Sequence, residues 1–162
     1  MFAALITILL ALAQTPVAGT VIGIVKHPTN GRTVDGARVV LLPPKYTELW
    51  DRQVQSRLDN YWELFKPEFA VRKEGFLEYG RVAQIEALRY VTATMRRELG
   101  DATKFIKEST SAGQFEFRNI PFGTYQLIVH ATGPNGQDVI WSKSVEVQSD
   151  APLFVDLGKP VS

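Results

Sequence analysis

The chain has two hydrophobic periods along its length, and each predicts a different secondary structure. In residues 20–44 and 104–158, apolar and polar residues alternate at every second position between turn residues, which is typical of half-buried β-strands. The segment between them repeats apolar residues every three or four positions, the period of an amphipathic helix. We predict seven strands, at residues 20–26, 37–42, 104–108, 114–118, 124–131, 139–147 and 153–157.

These short strands predict a mainly β fold, a seven-stranded antiparallel β-sandwich. In the fifth strand, one face carries Tyr125, Leu127 and Val129 and is assigned to the core. The alternate residues, Gln126, Ile128 and His130, belong to the opposite face. Residues 133–136 (Gly-Pro-Asn-Gly) include Gly and Asn, which tolerate positive φ, so strands five and six are expected to form a hairpin.

Residues 45–103 are predicted to form an α-helical hairpin inserted between strands two and three. Thr47 is expected to cap the first helix. Pro67 suits the first position of the second helix, where its missing N–H is not needed, and Gly100 is expected to end that helix. Gly75 and Gly80 are positions where the second helix could bend or break. The predicted packing stripes are Trp50, Val54, Leu58, Tyr61 and Phe65 in the first helix and Ile85, Leu88, Thr92, Met95 and Leu99 in the second.

The N-terminal residues predict export. Residues 1–13 contain no charged side chain and end in Ala-Leu-Ala, a small-x-small pattern that suits signal peptidase. We predict a signal peptide over residues 1–13, cleaved near position 13/14, and a periplasmic or secreted mature chain. A retained anchor is the alternative, but residues 14–16 (Gln-Thr-Pro) interrupt the apolar stretch before it reaches the about 20 residues that a membrane span needs.

Composition excludes several classes of function. Eighteen basic and 17 acidic residues give a net charge of +1 without a run of like charge, so no nucleic-acid partner is expected. The absence of Cys and the presence of only two His exclude thiol catalysis, disulfides and Cys/His zinc sites. His27 and His130 are far apart in sequence and are predicted to be surface residues without a catalytic role. We therefore expect no enzyme activity, no cofactor and no metal site.

Three stretches of the β regions share a pattern of glycine and aromatic residues. They are residues 23–25 (Gly-Ile-Val), 35–39 (Asp-Gly-Ala-Arg-Val) and 111–127 (Ser-Ala-Gly-Gln-Phe-Glu-Phe-Arg-Asn-Ile-Pro-Phe-Gly-Thr-Tyr-Gln-Leu). This pattern resembles the carboxypeptidase regulatory-like domain, a transthyretin-like or prealbumin-like β-sandwich of Ig-like architecture. The residues that carry the structural motif are Gly23, Gly36, Gly113, Phe115, Phe117, Pro121, Gly123 and Tyr125.

The resemblance implies one sandwich domain over residues 20–158, interrupted by the helical insertion at 45–103. The chain departs from the family pattern at Ser111 and Ala112, where an Asp is usual. Zinc carboxypeptidases that carry such a domain need His and Glu ligands, and no His-x-x-Glu or His-Glu-x-x-His pattern occurs in this chain. Transthyretin-like hydroxyisourate hydrolases end in Tyr-Arg-Gly-Ser, which is also missing here. The resemblance therefore implies an exported accessory or binding role.

Aromatic residues of the insertion indicate where a ligand could bind. Trp50, Tyr61 and Trp141 fall on faces predicted to pack, whereas Trp62 lies off its helix stripe and is the candidate ligand-binding residue. We expect a non-catalytic interaction module whose sandwich is a platform presenting the insertion to a protein or cell-envelope partner. A carbohydrate-binding module is the alternative, and two or three exposed rings in a row would favour it. The insertion is expected to be removable without loss of the β-domain.

Overall fold

Nine principal helices and strands are present in the computed structural model, which describes residues 17–161. The predicted signal peptide therefore lies outside the described residues. A short 3-10 turn at Ala102–Lys104 follows the second helix. In chain order the elements are β1 (Ala18–Ile24), β2 (Arg38–Leu42), α1 (Pro44–Val71), α2 (Lys73–Glu98), β3 (Ile106–Glu108), β4 (Gln114–Pro121), β5 (Gly123–Thr132), β6 (Asp138–Val147) and β7 (Leu153–Val155).

The strands form two sheets, one of three strands in the order β4-β1-β7 and one of four strands in the order β3-β2-β5-β6. The β-sandwich architecture is as predicted, but two parts of the prediction are wrong. The pairing of β1 with β7 is parallel, so the sandwich is not wholly antiparallel. Helices hold 39% of the described residues and strands 33%, so the fold is not mainly β.

Two hydrophobic cores lie on opposite faces of the four-stranded sheet. The first fills the space between the sheets, where Phe117, Leu127 and Trp141 are buried. The second lies between the four-stranded sheet and the helices, where Ile128 and Ile140 pack with helix residues. The molecule therefore has three layers, in which the helical hairpin covers the outer face of one sheet.

Burial of both faces explains the composition of the central strands. Ile128 is fully buried although it belongs to the face opposite Tyr125, Leu127 and Val129. The apolar run from Val39 to Leu42 is buried on both faces for the same reason. Such continuous apolar runs are typical of strands covered on both sides. The run at residues 39–42 is therefore the feature of the sequence that indicates the second core.

Strand β4 continues beyond its predicted end because a bulge shifts its alternation. Its register with β1 moves from Val21 opposite Phe117 to Gly19 opposite Ile120, so two residues of β4 face one residue of β1. Asn119 lies in this bulge with a φ of 56°. Ile120 is consequently buried in place of Asn119, and the strand runs on to the end of the sheet.

The helices form an antiparallel hairpin whose internal boundary differs from the prediction. Thr47 does not cap α1, because its hydroxyl donates back to the carbonyl of Leu42 at 3.2 Å, and the helix begins directly after Pro43. Pro67 lies inside α1, so the predicted start of the second helix there is wrong. A proline inside a helix costs about 3 kcal/mol, and burial of Phe69 offsets this cost.

The chain turns between the helices at Arg72, whose φ of −126° and ψ of 92° are extended. Gly75 and Gly80 lie within α2 and do not interrupt it. Within residues 17–161, no helix is long and apolar enough to cross a membrane.

Candidate functional site

Only the ends of the hairpin nearest the strands pack against the sheet. In α1 the second core includes Tyr46 and Trp50, with Val54 at its margin, and in α2 it begins at Ile85. Because a helix rises about 1.5 Å per residue, the part of α1 beyond Val54 is about 25 Å long. Residues 55–84 therefore form an overhang that extends past the second core, although Arg81 still lines a small cavity with Asp138 and Val139 of β6. We call this segment the hairpin tip.

Six aromatic residues hold the hairpin tip together. Phe69 is at their centre and is 4% exposed. Its ring centroid lies 5.3 Å from those of both Phe76 and Tyr79, and Phe65 stacks on Tyr79 at 4.7 Å. Such pairs contribute about 0.5–1.5 kcal/mol each beyond their area burial, so the overhang has a core of its own. The cluster consists of Tyr61, Trp62, Phe65, Phe69, Phe76 and Tyr79.

Trp62, the residue predicted from sequence to bind a ligand, lies at the exposed side of this cluster. One face of its indole stacks on Phe69 at 5.9 Å, and 42% of the residue is exposed. Phe76 is 37% exposed and meets Trp62 edge-on, with an interplanar angle of 85°. The two exposed rings are therefore perpendicular and do not form a flat row.

Aliphatic side chains extend the exposed apolar surface of the hairpin tip. Leu64, Val71 and Leu77 are exposed by 71%, 85% and 53%. Leu64 is two residues from Trp62, which places it on another side of the helix. Apolar residues are thus exposed on more than one side of the tip, whereas a helix covered only by its hairpin partner is normally polar on its outer sides.

A polar network fixes the two helices at the base of the tip. The guanidinium of Arg57 lies 3.3 Å from the Glu86 carboxylate, and the hydroxyl of Tyr61 donates to the same carboxylate at 2.8 Å. Burial and then this hydrogen bond raise the pKa of Tyr61 above its ordinary value. Leu64 and these three residues line a shallow groove of about 620 Å³.

A second network joins the first turn of α1 to the last turn of α2. The Lys45 ammonium and the Tyr46 hydroxyl donate to the Glu98 carboxylate at 2.6 and 2.9 Å. These hydrogen bonds, that of Lys45 foremost, hold the pKa of Glu98 below its ordinary value. The hairpin is therefore closed at its strand end by charge and at its tip by aromatic packing.

The eight motif residues lie on the sandwich, away from the hairpin tip. The close approach at Gly23 leaves no space for a side chain, since a Cβ there would lie 2.4 Å from the Phe115 ring. Gly113 has a φ of 74°, and a Cβ would meet the Val25 carbonyl at 2.6 Å. Gly36 lies in the turn before β2, Gly113 precedes β4, and Gly123 and Tyr125 begin β5, while Phe115, Phe117 and Pro121 belong to β4.

His130 is not the solvated surface residue that the sequence predicted. It lies on the face of β5 covered by the helices, and its side chain is only 16% exposed. Its Nε2 atom is 2.8 Å from the Asp138 carboxylate, to which the Thr132 hydroxyl also donates at 2.9 Å. Strand alternation placed His130 correctly opposite the sandwich core, but alternation alone does not reveal that α2 covers this face.

His27 is half-buried in the turn after β1, where its Nδ1 atom accepts a hydrogen bond from the Thr29 backbone at 3.3 Å. Across the described range, 17–161, no group of three or more His, Cys, Asp and Glu side chains is placed to hold a metal ion.

Comparison with known proteins assigns no family to the chain. No family model and no curated protein matches the sequence, so the resemblance to the carboxypeptidase regulatory-like domain remains a prediction. The major pilin subunit of Bacillus cereus is 14% identical with a TM-score of 0.41, over 91% of this chain and 31% of the pilin. A Pseudomonas aeruginosa protein proposed to bind carbohydrate is 16% identical with a TM-score of 0.40, over 90% of this chain and 91% of that one.

The pilus backbone protein of Streptococcus pneumoniae is 10% identical with a TM-score of 0.32, over 85% of this chain and 39% of that chain. The chain thus spans well under half the length of the two pilins to which it is similar.

Proposed function

We propose that this chain is a non-catalytic, exported accessory module that binds a protein or cell-envelope partner through its hairpin tip. The observation that carries the proposal is the exposure of Trp62, Phe76 and Leu77 on an overhang that the sheet does not cover. Exposed apolar surface of this kind, interspersed with charged residues, is typical of protein interaction sites. Export rests on the apolar segment at residues 1–13.

The sandwich and the first part of the hairpin serve as a rigid platform in this proposal. Both cores include the four-stranded sheet, so the base of the hairpin is fixed to the sandwich. A rigid base lowers the conformational-entropy cost of binding a partner, because the binding surface is already ordered. The aromatic cluster fulfils the same purpose within the tip itself.

A carbohydrate ligand is the alternative, and the geometry of the tip favours it less. Sugar rings stack on flat, exposed aromatic faces. At the hairpin tip, most of that flat surface would have to come from the indole ring of Trp62. One face of Trp62 is occupied by Phe69, and Phe76 presents its edge at 85° to it. The tip therefore offers one free indole face instead of a row of parallel rings.

Site-specific photocrosslinking tests the proposal in cells of the source organism. A benzoyl-phenylalanine replaces Trp62 in one variant and Phe154 in a matched control, since Phe154 is an exposed aromatic on the three-stranded sheet. We expect a discrete, protease-sensitive adduct from position 62 and none from position 154. A protease-resistant adduct that a glycosidase removes would support the carbohydrate alternative. Equal labelling from both positions, or none from either, would contradict a binding role for the tip.

A further inference from the structure

A cavity of about 330 Å³ lies between α2 and the edge of the four-stranded sheet, apart from the hairpin tip. Small-molecule pockets in proteins are about 300–1,000 Å³, so this cavity is large enough for a ligand of a few heavy atoms. Its walls are rich in charge, and Asp35, Arg89 and Glu108 are exposed at its mouth. The polar side chains that line it are Asp35, Arg38, Arg89, Glu108, His130 and Thr132.

Two guanidinium groups in the cavity wall are unpaired. Arg38 comes from β2 and Arg89 from α2, and neither forms a hydrogen bond or ion pair with any carboxylate of the described part of the chain. Among the described arginines, only Arg57 and Arg118 lie within 4 Å of a carboxylate. A guanidinium presents a planar fork of donors that fits a carboxylate, so the two arginines leave the cavity wall able to bind one.

A third side chain of the cavity wall, His130, is oriented by the residues behind it. The His130 ring is held through Nε2 by Asp138, which Thr132 also contacts. Its Nδ1 atom has no hydrogen-bond partner among residues 17–161. A ring that is fixed on one side and free on the other can bind a ligand without first losing rotational freedom.

The cavity wall also carries two carboxylates without a cationic partner within the described segment, Asp35 and Glu108. The strand register places Arg38 between Glu108 on β3 and His130 on β5, so an acidic and a basic group lie on neighbouring strands. A purely anionic ligand would be repelled by the two acids, and a purely cationic one by the arginines. A ligand with one group of each sign meets a complementary group on both sides.

We infer that this cavity binds a small zwitterion that carries a carboxylate and an ammonium group, in the size range of a free amino acid. Arg38 and Arg89 would bind the carboxylate, and Glu108 and Asp35 the ammonium group. Since Arg89 belongs to the hairpin and the other groups to the β-part, the ligand would bridge the two layers. This site is independent of the partner-binding role proposed for the hairpin tip.

Calorimetric titration of the full chain with L-alanine tests the inference. Propionate and ethylamine are matched probes, since each keeps one charged group of alanine and lacks the other. We expect heat of binding with L-alanine and an affinity at least about tenfold weaker for either single-charge probe. No heat from L-alanine at about 10 mM, or equal binding of propionate, would overturn the inference.

Two arginine variants test whether L-alanine binds in this cavity. Arg89→Gln removes a guanidinium of the cavity, and Arg96→Gln removes an exposed one on the same helix that does not line it. We expect Arg89→Gln to weaken L-alanine binding by about tenfold or more and Arg96→Gln to leave it unchanged. Circular dichroism confirms that both variants keep their helices. An equal loss in both variants, or none in Arg89→Gln, would contradict the assignment to this cavity.

Discussion

The hydroxyl of Tyr125 donates a hydrogen bond to the carbonyl of Pro121 at 2.8 Å. This bond spans the bend at Phe122, where the chain leaves β4 in the three-stranded sheet and enters β5 in the four-stranded sheet. The Tyr125 ring is 7% exposed and packs beside Phe105 at 6.4 Å. One side chain thus fixes the crossing between the two sheets both by packing and by a hydrogen bond.

Replacement of Tyr125 by Phe should lower the free energy of unfolding by about 1 kcal/mol, because it removes the hydrogen bond and keeps the ring. Tyr125→Ala should cost about 3–5 kcal/mol, since the ring is lost as well. Urea denaturation measures both values. Tyr90→Phe is the control, since Tyr90 is 44% exposed and its hydroxyl has no partner in the described structure. An equal effect at both tyrosines would contradict a special role for the bond.

The sandwich core predicts a large difference between two phenylalanines. Phe117 is fully buried between the sheets, whereas Phe154 is 60% exposed. Phe117→Ala should lower the free energy of unfolding by about 3–5 kcal/mol, and Phe154→Ala should change it by no more than about 0.5 kcal/mol. Chemical denaturation decides the point. A cost below about 1 kcal/mol for Phe117→Ala would place that ring outside the core.

Deletion of the hairpin tip should leave a folded protein. Arg57 and Glu86 face each other across the two helices at 3.3 Å, so a short Gly/Ser turn can replace residues 58–84. The second core is left intact by this deletion, and we expect cooperative thermal melting with a reduced helical signal in circular dichroism. Partner binding through the tip should be lost.

Deletion of the whole insertion should have a different result. Replacing residues 45–102 by a linker exposes Val40, Leu42, Ile128 and Ile140, all of which are fully buried. We expect aggregation or loss of cooperative melting, because the sheet would present an apolar outer face to water. Recovery of a soluble β-domain with a cooperative melt would show that the sandwich alone is the folding unit, as the sequence suggested.

Acid stability should depend on Asp138. Burial opposes ionisation of this carboxyl, but hydrogen bonds from His130 and Thr132 and the charges of His130 and Arg89 outweigh burial and lower its pKa. The folded pKa thus lies below the unfolded value of about 3.9. The carboxylate stabilises the fold above about pH 4, and this stabilisation is lost as the pH falls through the folded pKa.

We expect the free energy of unfolding to fall less steeply between about pH 4 and about pH 2 in Asp138→Asn than in the wild type. Denaturation curves at several pH values measure these slopes. Other carboxyls with lowered pKa values, such as Glu98 and Glu116, contribute equally to both proteins. Asp150→Asn is the control because Asp150 has no charged partner in the structure as described, and it should keep the wild-type slope. Identical slopes for Asp138→Asn and the wild type would contradict the role of Asp138.

Local pattern was sufficient for the seven strands and for the position of the helical insertion. The two hydrophobic periods are properties of neighbouring residues, and a period of two or of 3.6 can be read without knowing what covers the chain. The same holds for the bend between β4 and β5, since Pro121 restricts φ and Gly123 permits a positive φ of 154°, both of which are local effects. Helix boundaries were less accurate, because packing of Phe69 outweighs the local effect of Pro67.

Only the tertiary structure decided what lies on the outer face of the four-stranded sheet. Alternation divides the residues of β5 between two faces. It does not show whether the face that carries Gln126, Ile128 and His130 is exposed to water or covered by a helix. Strand order and the parallel pairing of β1 with β7 likewise depend on contacts between distant segments.

The charged cavity depends on the same distant contacts, since Arg38, Arg89, His130 and Glu108 come from four different elements. No spacing in the sequence relates these residues to one another. The sequence by itself determined which segments became strands and helices, because that choice is set by local periodicity. Which side chains meet was decided by the packing of α2 across the sheet, because burial of the apolar residues of both layers fixes that arrangement.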